Sequence, residues 1–313
     1  MKKPRVTVVI PTFNQAEYLE EAIESVLAQS YADVELIVIN DGSTDRTEEL
    51  LARYAETGFR VISRSNKGQA ATINEGWSLS TGELLMYLSS DDMLRENAIE
   101  ILVNEMSRSN KIVVAYCDYS LIDPDGNAIR LVNAEDYDRK RLFEDLVCQP
   151  GPGAIIRRDV YDITGGWNPE YRQLPDFEFW TRASNFGDFS RVAQDLALCR
   201  VHPSSASFRP LDVARADEIL RLVTSDDFKS IPARFNRSFA KAYLISSKRH
   251  FNSSRVHYGL SRLLMAVKIN PALLISTQTY KTIASGLLRR PLTIIRWRVA
   301  KFFNRSQVDV KSN

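Results

Sequence analysis

The chain has 313 residues, 44% hydrophobic and 26% charged, which allows a full core in one large domain or two modest ones and excludes a disordered or fibrous protein. Its three cysteines, Cys117, Cys148 and Cys199, are odd in number and far apart, so neither a disulfide framework nor a zinc cluster is indicated and a reducing cytoplasm fits. The net charge of +2 hides an asymmetry: residues 1–227 hold 24 Lys and Arg against 38 Asp and Glu, a balance of −14, whereas residues 228–308 hold 16 Lys and Arg and no acid. Such a break separates parts that meet different partners.

The first residues lead directly into a strand-like run at 6–10, with no apolar stretch long enough for a signal peptide, and no run of 18 apolar residues follows, so a cytoplasmic protein without a spanning helix is expected. A helix is predicted at 15–28, with Leu19, Ile23, Val26 and Leu27 on one face, then a strand at 34–39. Thr44 is expected to cap a helix reaching about Tyr54, with Glu48 in a capping-box position after Asp45. A short strand at 59–63, a helix at 68–79 and a strand at 84–88 follow. Apolar strands separated by helices argue for a parallel sheet covered on both faces. Beyond residue 92 the pattern predicts a helix at 98–106, strands at 113–117 and 153–157, a turn at Asp123-Pro-Asp-Gly126, a helix at 176–184, and only helices from about 212.

The strand at 84–88 delivers two adjacent carboxylates, Asp91 and Asp92, to the sheet edge where open parallel sheets bind ligands. Such a pair suits a hard divalent cation shared with a phosphate, and it equally suits the cap of the helix that follows. Two other segments reach that edge, Pro11-Thr-Phe-Asn14 and Asn40-Asp-Gly-Ser-Thr-Asp45. No glycine precedes Gly42, so the dinucleotide fingerprint is absent, and no Lys-Ser or Lys-Thr phosphate loop occurs. The edge instead offers an aromatic face at Phe13, a carboxylate at Asp41 suited to accept from a base N–H or to form a turn before Gly42, and acids for a metal diphosphate. Together these describe a pocket for a nucleotide diphosphate.

Here the chain resembles the family 2 glycosyltransferases, the inverting group with a GT-A nucleotide-sugar fold. The resemblance rests on Val8-Val-Ile-Pro-Thr-Phe-Asn14, Glu35-Leu-Ile-Val-Ile-Asn-Asp-Gly-Ser-Thr-Asp45, Asn66-Lys-Gly-Gln-Ala70 with Asn74 and Gly82, Leu88 to Asp92, Gly165-Gly-Trp167, and Pro175-Asp-Phe-Glu-Phe-Trp-Thr-Arg182. It implies an α/β GT-A domain over residues 1–211, a mostly parallel central sheet flanked by helices, followed by a helical basic region at 212–313. It further implies that Pro11, Thr12, Phe13, Asn14, Asp41, Ser43 and the Lys67-Gly68 turn embrace a nucleotide-sugar donor, that Asp91 contacts ribose or metal, and that Asp92 holds Mg2+ or Mn2+. His202, in Arg200-Val-His-Pro, resembles a residue that approaches the metal or diphosphate, although a lone histidine is often only a satisfied surface residue. Asp176 occupies the position of the catalytic acid and is the expected general base, with a helix cap as the alternative. Glu178 and Arg182 at i, i+4 are expected to pair. Gln149-Pro-Gly-Pro-Gly153 would line the acceptor side, and Trp167 and Trp180 would stack on sugars or pack in the core.

Two departures stand out: Ser89 and Pro175 replace acids usual in the family, which leaves a non-catalytic sugar-nucleotide-binding protein as the alternative. The expected activity is transfer of a hexosyl or N-acetylhexosaminyl group, UDP-linked, to a glycan or polyprenyl-linked acceptor in cell-surface polysaccharide synthesis. The basic region mixes Ile294, Trp297 and Phe302 with Arg296, Arg298 and Lys301, the composition of an interfacial helix, so peripheral attachment to the anionic inner face of the plasma membrane is expected. No nucleic-acid partner is expected, and a helical packing module of a homo-oligomer is a further reading.

Overall fold

The structure, a computed structural model, describes residues 3–205, 209–229, 235–277, 279–281 and 283–284. The chain divides into two compact units, Met1–Leu142 with Val147–Arg209, and Phe143–Leu146 with Pro210–Asn313.

The first unit is built on one sheet. β1 (Val6–Thr12) pairs in parallel with β2 (Val34–Asn40), β3 (Arg60–Ser63) extends β2, and β4 (Leu84–Tyr87) lies on the other side of β1, all parallel. β1 is wholly buried because helices cover both faces of the sheet. Side chains alternate along it: Val6, Val8 and Ile10 pack with α1 (Leu19–Leu27), α2 (Thr47–Ala52) and α4 (Ala98–Ser107), while Val9 packs on α3 (Gln69–Leu79). Gly76 of α3 sits where an added Cβ would lie 2.5 Å from a Val9 methyl, so this helix needs glycine to approach the sheet.

Beyond β4 the sheet becomes mixed. β8 (Ile155–Arg157) runs antiparallel to β4 and to β6 (Ile112–Ile122), and β9 (Asp188–Arg200) lies parallel to β6. β5 (Met93–Leu94) pairs with β9, and β7 (Ala128–Val132) pairs with β6. The full order is β3-β2-β1-β4-β8-β6-β9-β5, with β7 off this path. α5 (Arg158–Thr164) and α6 (Pro175–Ala183) complete the face that carries α3.

Several expectations need correction. The first helix begins at Leu19, not at 15, because Asn14 takes a left-handed φ of +54° and residues 15–18 form a separate turn. Thr44 does not cap α2; its N–H goes to Asn14 Oδ1, and Asp45 accepts from Thr47 N–H and hydroxyl instead. The 13-residue β9 and β7 were not foreseen. β9 pairs with β6 through register shifts, and its polar residues find partners, Arg191 reaching Asp118 and Ser120 reaching Asp195, so a period-2 pattern never forms.

The described residues of the second unit form α7 (Val213–Ala216), α8 (Glu218–Thr224), α9 (Asp226–Lys229), α10 (Phe235–Asn252), α11 (Val256–Ile269) and a 3₁₀ turn Pro271–Ile275. Asp217 ties three of its parts together, receiving Ser246 of α10 and Arg262 of α11 and contacting His250 Nε2 at 3.1 Å. Burial opposes its charge, but the hydrogen bonds from Arg262, Ser246 and His250 outweigh burial and lower its pKa. Among the described residues no helix is long and apolar enough to cross a membrane. The basic and aromatic run containing Trp297 lies outside the described residues.

Candidate active site

The carboxyl edge of the parallel strands gathers the segments singled out by sequence. Asn14, at the end of β1, accepts from Thr44 N–H at 2.7 Å, and its own N–H donates to the Ser43 hydroxyl at 3.0 Å. Ser43 N–H is held in turn by Asn40 Oδ1 at 2.9 Å. The loops after β1 and β2 are therefore one hydrogen-bonded unit, with Pro11 and Thr12 buried beneath and Phe13 presenting its ring at 43% exposure. The Thr12 hydroxyl is buried, with no hydrogen-bond partner among the described residues.

Asp41 has a task that the sequence did not reveal. It is 3% exposed and accepts from Lys67 N–H at 2.8 Å and Gly68 N–H at 2.9 Å, while Arg64 forms an ion pair with it. One carboxylate thus folds the Lys67-Gly68 turn against the end of β2. Arg64 also reaches Glu75 and Thr72 of α3, which fixes the turn to the helix that follows. Gly68 stands at φ +89°, and Gly42 at φ +76° packs where an added Cβ would lie 2.8 Å from Asn66 N, so both glycines are required by backbone geometry.

The acid pair divides its work. Asp92 is 7% exposed and turned inward, accepting from Arg200 N–H at 2.8 Å and from the Cys199 thiol. Burial first, and the charge of Asp91 second, push its pKa well up. Asp91 is the more accessible of the two, and its Oδ2 lies 3.0 Å from His202 Nε2. The carboxylate facing His202 is therefore Asp91, whereas Asp92, expected as the metal ligand, joins the strand to β9. His202 is no surface residue: it is 3% exposed, its Nδ1 lies 2.7 Å from Ser204 Oγ, and its ring packs on Tyr18 at 4.8 Å. Burial pushes the Tyr18 hydroxyl up to about 12, so it stays neutral beside them at physiological pH.

Sequence reasoning quoted Arg200 without giving it a role, and the structure makes it the brace of this site. Its fully buried side chain donates to the carbonyl oxygens of Asp91 (3.1 Å) and Pro124 (2.7 Å), pairs with Glu21 (2.7 Å), and stacks over the Tyr18 ring at 4.8 Å. A basic residue two positions before a histidine was the available signal.

Asp91 and His202 offer one oxygen and one nitrogen donor. Among the described residues no third His, Cys, Asp or Glu joins them. The Asp91 carboxylate suits Mg2+ or Mn2+, which keep waters and take diphosphate oxygens to complete their shell, and the His202 imidazole favours Mn2+ of the two.

On the other side, Asp176 sits in the first turn of α6, after Pro175 at N1, and is partly exposed. The pKa of the Tyr87 hydroxyl is pushed well up, first by burial and next by the negative charge of Asp176. Tyr87 in turn packs edge-on against Trp167 at 4.7 Å. Trp167 and Trp180 are each 2% exposed, so both belong to the core and are not sugar platforms. Glu178 and Arg182 pair at 2.6 Å, and Arg182 also donates to the Thr164 and Gly166 carbonyls, which anchors α6 to the Gly165-Gly-Trp167 turn. An added Cβ on Gly151 would meet the Tyr119 ring at 3.0 Å, and one on Gly153 would meet Ala197 and Cys117 at 3.3 Å, so both glycines allow this segment to pack closely on the sheet.

Asn74 and Trp167 exchange two hydrogen bonds, 2.7 and 2.8 Å, and Gly166 beside them has φ +76° with an added Cβ only 2.4 Å from Asn74 Oδ1. Gly166→Ala is expected to destabilise the first unit by about 2 kcal/mol, combining backbone strain with a broken buried pair. A urea midpoint within error of the parent would contradict that account.

The model of the family described as Glycosyl transferase family 2 matches residues 7–164, a stretch that contains the Asp41 turn and the acid pair. An uncharacterised glycosyltransferase of Rickettsia typhi is 29% identical over 226 residues, 69% of this chain and 70% of that protein. Chondroitin synthase of Escherichia coli is 27% identical over 255 residues, 80% of this chain but 36% of that enzyme, so the chain spans about a third of the synthase. Among solved structures, S. aureus TarS in complex with UDP superposes with a TM-score of 0.58 at 16% identity, covering 86% of this chain and 90% of that one. A Pyrobaculum calidifontis mannosyltransferase in complex with GDP-Man and Mn2+ superposes with a TM-score of 0.57 at 16% identity, covering 93% of this chain and 87% of that one. With its sheet, its strand-edge loops and half of its length accounted for in this way, the chain belongs to glycosyl transferase family 2 and has the GT-A fold.

Proposed function

We propose that this glycosyltransferase uses Mg2+ or Mn2+ to transfer a hexosyl or N-acetylhexosaminyl group, with inversion, from a UDP-linked donor to a hydroxyl of a glycan or lipid-linked acceptor in cell-surface polysaccharide synthesis. The observation that carries this reading is the 3.0 Å approach of His202 to Asp91, two metal-competent side chains brought together across 111 residues of sequence. Bound there, the cation would neutralise charge on the diphosphate leaving group. The protein supplies the rest. The Asn14–Ser43–Asn40 chain and the Asp41-bound turn form a rigid seat for the nucleoside, with Phe13 as its aromatic face. Asp176, in the first turn of α6, takes the proton of the attacking acceptor hydroxyl. The UDP preference has support from TarS, which carries UDP on this fold, and the polysaccharide context from the chondroitin synthase relative.

Asp91→Asn removes a ligand charge beside His202 and is expected to weaken UDP-sugar binding at least about tenfold, with chelator having the same effect on the parent protein. Asp92→Asn keeps the acceptor for Arg200 N–H and should weaken binding less. Calorimetric titration of each variant, with and without Mn2+, distinguishes them. Affinity indifferent to both Asp91→Asn and chelator would remove the metal from the reading, and donor binding without any release of UDP would leave a binding protein.

A further inference from the structure

Among the described residues, the second unit carries an apolar stripe that its helices leave exposed. On α11 the packed side is set by Gly259, where an added Cβ would lie 2.5 Å from the Phe251 ring, by buried Ala266, and by Arg262 reaching Asp217. Val256, Leu260 and Leu264 recur at four-residue spacing away from that side and are 51%, 50% and 69% exposed. The chain then turns at Pro271–Ile275, where Leu274 and Ile275 are 56% and 85% exposed. A contiguous water-facing run of this kind marks an interaction surface.

Charge selects the occupant. Residues 228–308 hold 16 Lys and Arg and no acid, and exposed Lys268 stands one helical turn beyond Leu264. A second copy of the chain would set one cationic region against another, a repulsion that apolar contact would have to overcome. An anionic bilayer satisfies both features, since apolar side chains enter the headgroup boundary while cations meet lipid phosphates. We infer that the Val256–Leu260–Leu264 face of α11, continued by Leu274 and Ile275, docks on an anionic lipid surface. The inference stands independently of the transfer reaction, because it concerns only the second unit.

Co-sedimentation of the full chain with phosphatidylcholine vesicles, and with the same vesicles enriched in phosphatidylglycerol, tests it. The protein is expected to pellet with the anionic vesicles, to stay in solution with the neutral ones, and to be released as salt shortens the Debye length below about 10 Å. The double variant Leu260→Asp, Leu264→Asp should lose at least about tenfold in vesicle affinity while keeping its circular dichroism and its UDP-sugar binding. Ile275→Asp, at a separate exposed position, should weaken binding in the same direction if the double variant fails to fold. Parent protein that stays in the supernatant with anionic vesicles would overturn the inference. So would charged variants that bind as the parent does, or a parent dimer in light scattering that the double variant dissociates.

Discussion

Asp176→Asn is expected to lower turnover by about 10²- to 10⁴-fold while leaving the affinity for the UDP-sugar donor unchanged. The amide has nearly the shape of the carboxylate and can still accept a hydrogen bond in the first turn of α6, where Pro175 already fixes the helix start. It cannot take a proton from an acceptor hydroxyl. A cap and a base therefore separate experimentally: loss of a cap costs about 1 kcal/mol of stability and little activity, whereas loss of a base leaves the melting temperature in place and removes kcat. Initial rates of UDP release at saturating donor, measured beside thermal melts, decide between them. Turnover within about threefold of the parent would return Asp176 to a helix-capping role.

Arg200→Met is expected to destabilise the first unit by about 3 kcal/mol or more, and Arg200→Lys to recover only a fraction of that. The guanidinium is fully buried and serves the Asp91, Asp123 and Pro124 carbonyls and the Glu21 carboxylate at once. Each buried carbonyl left unpaired costs about 1–3 kcal/mol, and a lysine ammonium cannot span the same fork. Trp77, Trp167 and Trp180 are buried in the same unit and report its urea unfolding by fluorescence. Because Arg200 grips the Asp91 backbone and its main-chain N–H serves Asp92, Arg200→Met should also weaken donor binding in folded protein. A shift below about 1 kcal/mol with unaltered donor affinity would mean that Arg200 fills space without bracing the acid pair.

The parallel half of the sheet was legible from local pattern alone. Val6, Val8 and Ile10 against Val9, and the apolar runs of β2 and β4, are local patterns that burial on both faces demands, and local patterns survive without knowledge of partners. The gathering of the loops after β1, β2 and β4 at one edge was legible too, because parallel strands that alternate with helices leave those loops at one end of the sheet. The pairing of Glu178 with Arg182 was equally legible, being a matter of helical spacing alone.

The remaining features depend on residues distant in sequence that meet only in the folded chain. β9 escaped notice because its polar side chains are satisfied by Asp118 and other groups elsewhere on the sheet, which removes the alternation a lone strand would show. Asp91 and Asp92 are chemically identical neighbours. Which one faces outward toward His202 and which turns inward to Arg200 N–H follows from β9 returning beside them, and no pattern around residue 92 could carry that information. Trp167, for which sequence left sugar stacking and core packing both open, belongs to the core because Asn74 and Tyr87 pack around it. Periodicity reports which side of an element is buried; the identity of the atoms on that side is a property of the packed chain.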